Sequence, residues 1–174
     1  MAKRRAAEHR VVDTNVAMVA QGLAPQADQA CVDACQEALA ELTESFRLVL
    51  DEEDEIASEY VEALGHAGKP GVGRAFAKWV WDSRFDEQRV MRVAIRPQED
   101  GSWRVHEEFP DQPDLKGFDR NDQKFVAVAL ASGVNPPILN AVDSDWWEYR
   151  RALEAAGVRI KFLCPTILER SEVK

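Results

Sequence analysis

The feature that most constrains this chain is a short apolar run that ends on an acid, the segment RVVDTNV at 10–16. Short apolar runs of this kind are typical of buried strands. In open α/β sheets, ligands bind outside the carboxyl ends of the strands, which is where Asp13 would lie. The segment alone also fits a simpler interpretation, in which Asp13 caps the next helix and Thr14 and Asn15 are turn residues. The choice between the two depends on the other acids of the chain.

Strand patterns alternate with amphipathic helix patterns along the rest of the sequence. Besides the run before Asp13, strands are predicted at 46–50, 137–142 and 158–163. Helices are predicted between them, including one that Asp51 caps. This alternation is typical of the α/β class, and we predict a three-layer α/β/α sandwich with a mostly parallel central sheet.

The length and composition fit one domain. The chain has 174 residues, of which 45% are hydrophobic, enough for one substantial core and short for two. We therefore predict a basic N-terminal arm at residues 1–8 and a single domain at residues 9–174. Apolar runs on both sides of Asp100 and Gly101 predict a β-hairpin insertion around 90–105.

The net charge of −9 is unevenly distributed. Residues 25–68 include twelve acids and one basic residue, Arg47, whereas residues 69–124 hold eleven of each sign. An acidic total argues against broad, sequence-blind binding to nucleic-acid backbones, which depends on Lys and Arg. It is compatible with a nucleic-acid substrate, because metal ions held by carboxylates can supply positive charge locally.

Three cysteines, Cys31, Cys35 and Cys164, are too few and too odd in number for a disulfide framework. We therefore predict buried free thiols and a reducing cytoplasm. No stretch approaches the roughly 18 apolar residues of a membrane span, and the basic N-terminus lacks the apolar region of an export signal. The sequence predicts a soluble protein that is not exported and has no membrane partner.

Acidic residues recur just after predicted strands and on helices. Asp143 and Asp145 follow a later strand, as Asp13 follows the first one. Asp122 lies on the first turn of a helix, and Glu59 lies beside the apolar stripe of another. Clustered carboxylates repel one another and raise each other's pKa unless a cation or a proton resolves the conflict. The pattern therefore favours a shared cation site over a set of independent helix caps.

Four short segments occur in order across nearly the whole chain. They are VVDTN at 11–15, EIASEY at 55–60, DRND at 119–122 followed by KFVAVA at 124–129, and DSDW at 143–146. In this order and at this spacing, they resemble the PIN-domain family of metal-dependent ribonucleases.

The resemblance implies a parallel sheet sandwiched by helices, with an acidic pocket that binds one or two Mg²⁺ or Mn²⁺ ions. Carried over by position, the metal-site and catalytic carboxylates are Asp13, Glu59, Asp122 and Asp143. The auxiliary residues are Asn15, Asp119 and Asp145. Hard divalent cations prefer such oxygen ligands. Bound ions can activate water and offset charge on phosphate oxygens, and two ions would lie about 4 Å apart.

The implied function is an endoribonuclease that hydrolyses phosphodiester bonds in single-stranded or structured RNA. A cognate antitoxin or another protein partner is also implied, because many PIN-like proteins are toxins held by an antitoxin, and a homodimer is compatible with the resemblance.

Two departures from the family pattern stand out. Ala141 lies where the family often has Thr or Ser, and the segment 82–118 is longer than a minimal member needs. Ala141 favours an alternative, an inactive PIN-like module that binds nucleic acid or protein.

Two other α/β classes also place an acid at the end of the first strand. A haloacid-dehalogenase-like phosphatase needs a second Asp two residues later, where this chain has Asn15. A flavodoxin-like signalling domain with Asp13 as phosphoacceptor needs an acidic pair at the same strand end and a suitably placed lysine, which the sequence does not show. The resemblance to the PIN-domain family therefore remains the basis for predicting a metal-dependent nuclease.

Overall fold

The structure is a computed structural model that describes residues 7–65 and 68–172, so residues 1–6 of the predicted basic arm lie outside the described residues. Its five strands are β1 (His9–Val12), β2 (Arg47–Asp51), β3 (Val90–Val93), β4 (Ile138–Asn140) and β5 (Ile160–Phe162). The helices are α1 (Thr14–Ala20), α2 (Gln29–Ser45), α3 (Glu55–Leu64), α4 (Val72–Ser83), α5 (Gln123–Ala131), α6 (Ser144–Ala155) and α7 (Pro165–Glu172). The predicted α/β/α sandwich is confirmed. Within the described ranges, no helix has the length and apolarity that a membrane crossing requires.

The sheet is parallel throughout, in the order β3-β2-β1-β4-β5. From β1 the chain proceeds to β2 and β3 on one side, and β4 and β5 lie on the other. The strand order therefore changes direction between β1 and β4. In open α/β sheets such a point leaves a crevice outside the carboxyl ends of the two strands, where ligands bind. Asp13 follows β1 directly, and Asp143 lies three residues after β4.

The two strands at this crevice are buried on both faces. Val11 and Val12 of β1 are fully buried beside Ile138 and Leu139 of β4. Apolar side chains on both faces are expected for parallel strands that helices cover from both sides. The short apolar runs of the sequence therefore become the rigid centre of the sheet.

Asp51 caps α3 as predicted, although the helix begins four residues after it and Asp54 occupies the N-cap position. Its fully buried carboxylate accepts N–H groups of Glu53, Glu55 and Ile56 at 3.1, 2.9 and 2.9 Å. The first N–H groups of a helix have no partner within the helix, so a buried acid that accepts several of them anchors the helix to the preceding strand.

The segment 90–105 differs from the predicted β-hairpin. Its first part is β3, which pairs in parallel with β2 at the edge of the main sheet. Within this segment and the residue after it, only Pro97 and His106 form an antiparallel bridge, and Gly101 between them has a positive φ of 67°. The turn is therefore present, but an apolar strand pattern does not specify its partner, and the central sheet pairs with β3 instead.

The cysteine prediction is wrong for two of the three residues. Cys31 at the start of α2 and Cys164 just before α7 form a disulfide, although 133 residues separate them. Cys35 is a buried free thiol, as predicted. The sequence spacing carries no signal for this bond, because only the tertiary fold brings the residue before α7 next to the start of α2.

Candidate metal centre

Three carboxylates meet in the crevice between β1 and β4. Asp13, Asp122 and Asp143 each offer one carboxylate oxygen, and these oxygens lie within 4.8 Å of one another. A divalent ion lies about 2.0–2.6 Å from its oxygen ligands. Oxygens this close together can therefore share one ion.

Asp13 is both a helix cap and a member of this cluster. Its Oδ1 accepts the N–H of Asn15 at 2.9 Å at the start of α1, and its own N–H donates to Leu139 of β4 at 3.0 Å. The side chain is nearly inaccessible, with 3% of the residue exposed. Its second oxygen, Oδ2, is buried and has no hydrogen-bond partner. Capping therefore uses one oxygen of Asp13 and leaves the other free for a ligand.

Local turns hold the other two members. Asp143 caps α6, and its carboxylate accepts the N–H of Asp145 at 2.9 Å. Asp122 ends a short 3-10 turn, Arg120–Asp122, that leads into α5, and its side chain makes no capping hydrogen bond. Each carboxylate thus lies on a different segment between a strand and a helix or before a helix, and the fold brings these three segments together at the crevice.

The predicted auxiliary residues position these loops. Asn15 accepts the N–H of Ala141 at 2.8 Å through its side-chain oxygen, so it ties α1 to the segment after β4. Asp145 accepts the N–H of Asp119 at 2.8 Å and holds the loop before α5 against α6. Asp119 itself is exposed. These contacts keep the acid-bearing segments together without adding a carboxylate to the cluster.

Glu59, the fourth predicted ligand, lies beside the cluster and is engaged by other partners. Thr14 donates its hydroxyl to Glu59 at 2.6 Å, and the Lys124 ammonium lies 3.2 Å from the other carboxylate oxygen. The sequence-based site contained neither Thr14 nor Lys124 as a functional residue. A signal for Lys124 was present, because it is the one charged residue in the helix QKFVAVALA, and every residue after it in the helix is apolar.

Burial and mutual repulsion shift the titration of the cluster. Burial, with smaller contributions from the charges of Asp143 and Glu59, raises the pKa of Asp13 to about 7. Burial, with smaller contributions from the charges of Asp13 and Asp143, likewise raises the pKa of Asp122 to about 9. Both pKa values shift upwards, which is the direction that repulsion among clustered carboxylates predicts. Without a cation, the crevice therefore retains protons at neutral pH.

These shifts predict a pH-dependent stability of the metal-free protein. The pKa values of Asp13 and Asp122 rise on folding from 3.8 to about 7 and about 9, so the folded state binds their protons more tightly. Their contribution to the free energy of unfolding is complete below about pH 4 and is lost as the pH rises through the folded-state values. Urea denaturation in chelator should show Asp122→Asn gaining stability relative to wild type between pH 4 and pH 9. A constant difference across this range would show that Asp122 titrates as an independent surface acid.

The contacts of Glu59 predict a graded response among the acids. Glu59→Gln should weaken Mn²⁺ binding less than Asp143→Asn does. Lys124 already neutralises Glu59, and of these two acids it is Asp143 that belongs to the cluster. Loss of a direct ligand should lower the affinity for Mn²⁺ by at least the roughly 10–100-fold that loss of an outer partner of a metal site costs. Isothermal titration with Mn²⁺ measures both variants. Equal losses would indicate that Glu59 leaves Lys124 to bind the ion.

Of two cavities in the described part of the protein, one lies away from the cluster of Asp13, Asp122 and Asp143 and the other borders it. One of about 580 Å³ lies between α2 and α4, away from the cluster, and includes Leu39 and Phe76 in its wall. Another, of about 400 Å³, has Asn15 and Asp143 in its wall and therefore borders the cluster.

Comparisons with family models, with curated proteins and with solved structures found no match for this chain.

Proposed function

We propose that this chain is a divalent-metal-dependent endoribonuclease that hydrolyses phosphodiester bonds in RNA. The observation that carries the proposal is the buried Oδ2 atom of Asp13, which has no partner although a carboxylate oxygen of Asp13 lies within 4.8 Å of oxygens of Asp122 and Asp143. A buried charge without a partner is costly, and it persists only if a proton or a cation compensates it. A divalent ion would satisfy this oxygen and remove the repulsion among the three acids.

Asp13, Asp122 and Asp143 would hold one Mg²⁺ or Mn²⁺ ion. Such an ion makes water a nucleophile near neutral pH and offsets negative charge on phosphate oxygens. The protein's own contribution is to fix the three oxygens by the cap of α1, the cap of α6 and the turn before α5. Glu59 would contribute to a second ion if Lys124 moved away.

The resemblance to PIN-domain ribonucleases supports the same proposal. Three of the four acids that the resemblance assigns to a metal lie together, although they follow different strands and helices. The choice of RNA as substrate rests on this resemblance.

The test is a cleavage assay with the full chain. Labelled single-stranded RNA and DNA are incubated with wild-type protein in Mn²⁺, in Mg²⁺ and in chelator. We expect fragments of RNA with either metal and none with chelator. An inactive binding module is the second candidate, which the occupation of Glu59 by Lys124 favours. Binding of RNA without cleavage under all of these conditions would select that candidate.

A cytoplasmic location and a protein partner are further parts of the proposal. The disulfide between Cys31 and Cys164 counts against the cytoplasm, because disulfides persist mainly in oxidising compartments. Cell fractionation followed by mass spectrometry of alkylated protein would report both the location and the state of the cysteines.

Light scattering would detect a homodimer, and co-purification would detect an antitoxin.

A further inference from the structure

The cavity that borders the acids has the size and position of a substrate subsite. Its volume of about 400 Å³ falls within the roughly 300–1,000 Å³ of small-ligand pockets. It lies between α1, the loop that follows α1 and the segment after β4, and Asp143 is part of its wall. The cavity therefore borders the cluster of Asp13, Asp122 and Asp143 at Asp143.

The chemistry of the wall fits a flat heterocyclic ring. Met18, Leu23 and Val142 provide apolar surface, and Gln26 and Ser144 provide an amide and a hydroxyl. Proteins that take up unstacked bases hold them against aromatic or apolar side chains and hydrogen-bond to the edges of the bases. The Gln26 amide can both donate and accept, as recognition of a base edge requires.

Asn15 adds a donor at the boundary between cavity and cluster. Its side-chain oxygen is used by the N–H of Ala141, whereas its Nδ2 is buried and without a partner. A buried donor without a partner costs free energy unless a ligand accepts from it. Asn15 lies in the wall of the cavity, two residues after Asp13, and thus has a buried donor without a partner at the boundary with the cluster.

We propose that this cavity binds the nucleobase of the nucleotide next to the scissile phosphate, in single-stranded RNA. The proposal rests on the proposed nuclease function and adds the form of the substrate and the residues that hold it. With the base against Leu23 and Met18, the attached phosphate extends past Asn15 towards the three carboxylates. A base in a duplex is paired and stacked and would have to leave the helix to enter, so the cavity selects unpaired RNA.

The binding arm uses the four nucleoside 5′-monophosphates with ¹⁵N-labelled full chain and Mg²⁺. We expect saturable shifts of the Leu23 and Gln26 amide signals, and Leu23→Ala should weaken binding about tenfold because it removes apolar contact area. The matched control is Val134→Ala, since Leu23 and Val134 are similarly exposed, at 42% and 44%, and Val134 lies in another cavity wall. We expect no change in nucleotide affinity for this control. Shifts confined to another surface, or equal losses for the two variants, would overturn the proposal.

The cleavage arm separates this inference from the nuclease proposal. In an active protein, Leu23→Trp, which fills the cavity, and Gln26→Ala should raise KM or change the base preference at the cleaved position, while Mn²⁺ affinity stays constant. An active protein whose KM and base preference are the same in both variants would overturn the cavity proposal and leave the nuclease intact. A wild-type protein that binds nucleotides in the cavity but cleaves no RNA would overturn the nuclease and support the cavity as a nucleotide site.

Discussion

Asp13→Asn is expected to lower divalent-metal-dependent cleavage of single-stranded RNA by at least about 100-fold, because loss of even an outer partner of a metal site costs about 10–100-fold. The substitution keeps the shape of the side chain and its ability to cap α1. It removes the charge from Oδ2, the oxygen that has no partner in the protein. Initial rates of cleavage in Mn²⁺ and in Mg²⁺, measured side by side with wild type, give the ratio.

Asp28→Asn is the matched control for this experiment. Asp28 caps α2 as Asp13 caps α1, and it accepts the N–H of Cys31 at 2.9 Å, but it is exposed and lies outside the cluster. If Asp13 were only a helix cap, the two variants would behave alike and both would stay active. The metal-free Asp13→Asn protein should be as stable as wild type or more stable, because one member of a repelling group is neutralised. A large loss of stability would contradict this account of the cluster.

Trp146→Ala is expected to lower the free energy of unfolding by about 3–5 kcal/mol, the usual cost of truncating a fully buried aromatic residue. Trp146 is fully buried in α6, and its ring lies edge-on to Phe118 with 5.1 Å between the ring centroids. Phe118 in turn stacks on Phe109 at 5.9 Å. Trp146 follows Asp145 and Phe118 precedes Asp119, so this aromatic contact joins the two loops that carry Asp143 and Asp122.

Urea denaturation measures this loss, and Trp81→Ala is the comparison. Trp81 is 38% exposed, so its truncation should cost less, about 1 kcal/mol or below. Trp146→Ala should also weaken Mn²⁺ binding, since loosened loops no longer hold Asp122 and Asp143 together. Similar stability losses in the two variants would show that the aromatic contact does not stabilise the fold as described.

The local features of the fold were predictable from the sequence. The apolar run before Asp13 forms a central buried strand, Asp51 caps α3, and the chain turns at Gly101. Each depends on residues within one turn or one strand, where backbone geometry and hydrogen bonding follow from nearby side chains. The eight-residue helix α7 was missed, because such a short segment carries a weak periodic signal.

The sequence by itself also determined that acids follow the strands at the crevice, and parallel strands bring their carboxyl ends to one edge of a sheet. Only the tertiary structure decided which acids meet. It joined Asp13, Asp122 and Asp143 and paired Glu59 with Lys124, 65 residues away. It likewise linked Cys31 to Cys164 and paired β3 with β2. The physical reason is that these contacts depend on how separate helices and strands pack, and a local pattern defines the face that an element buries but does not define its partner.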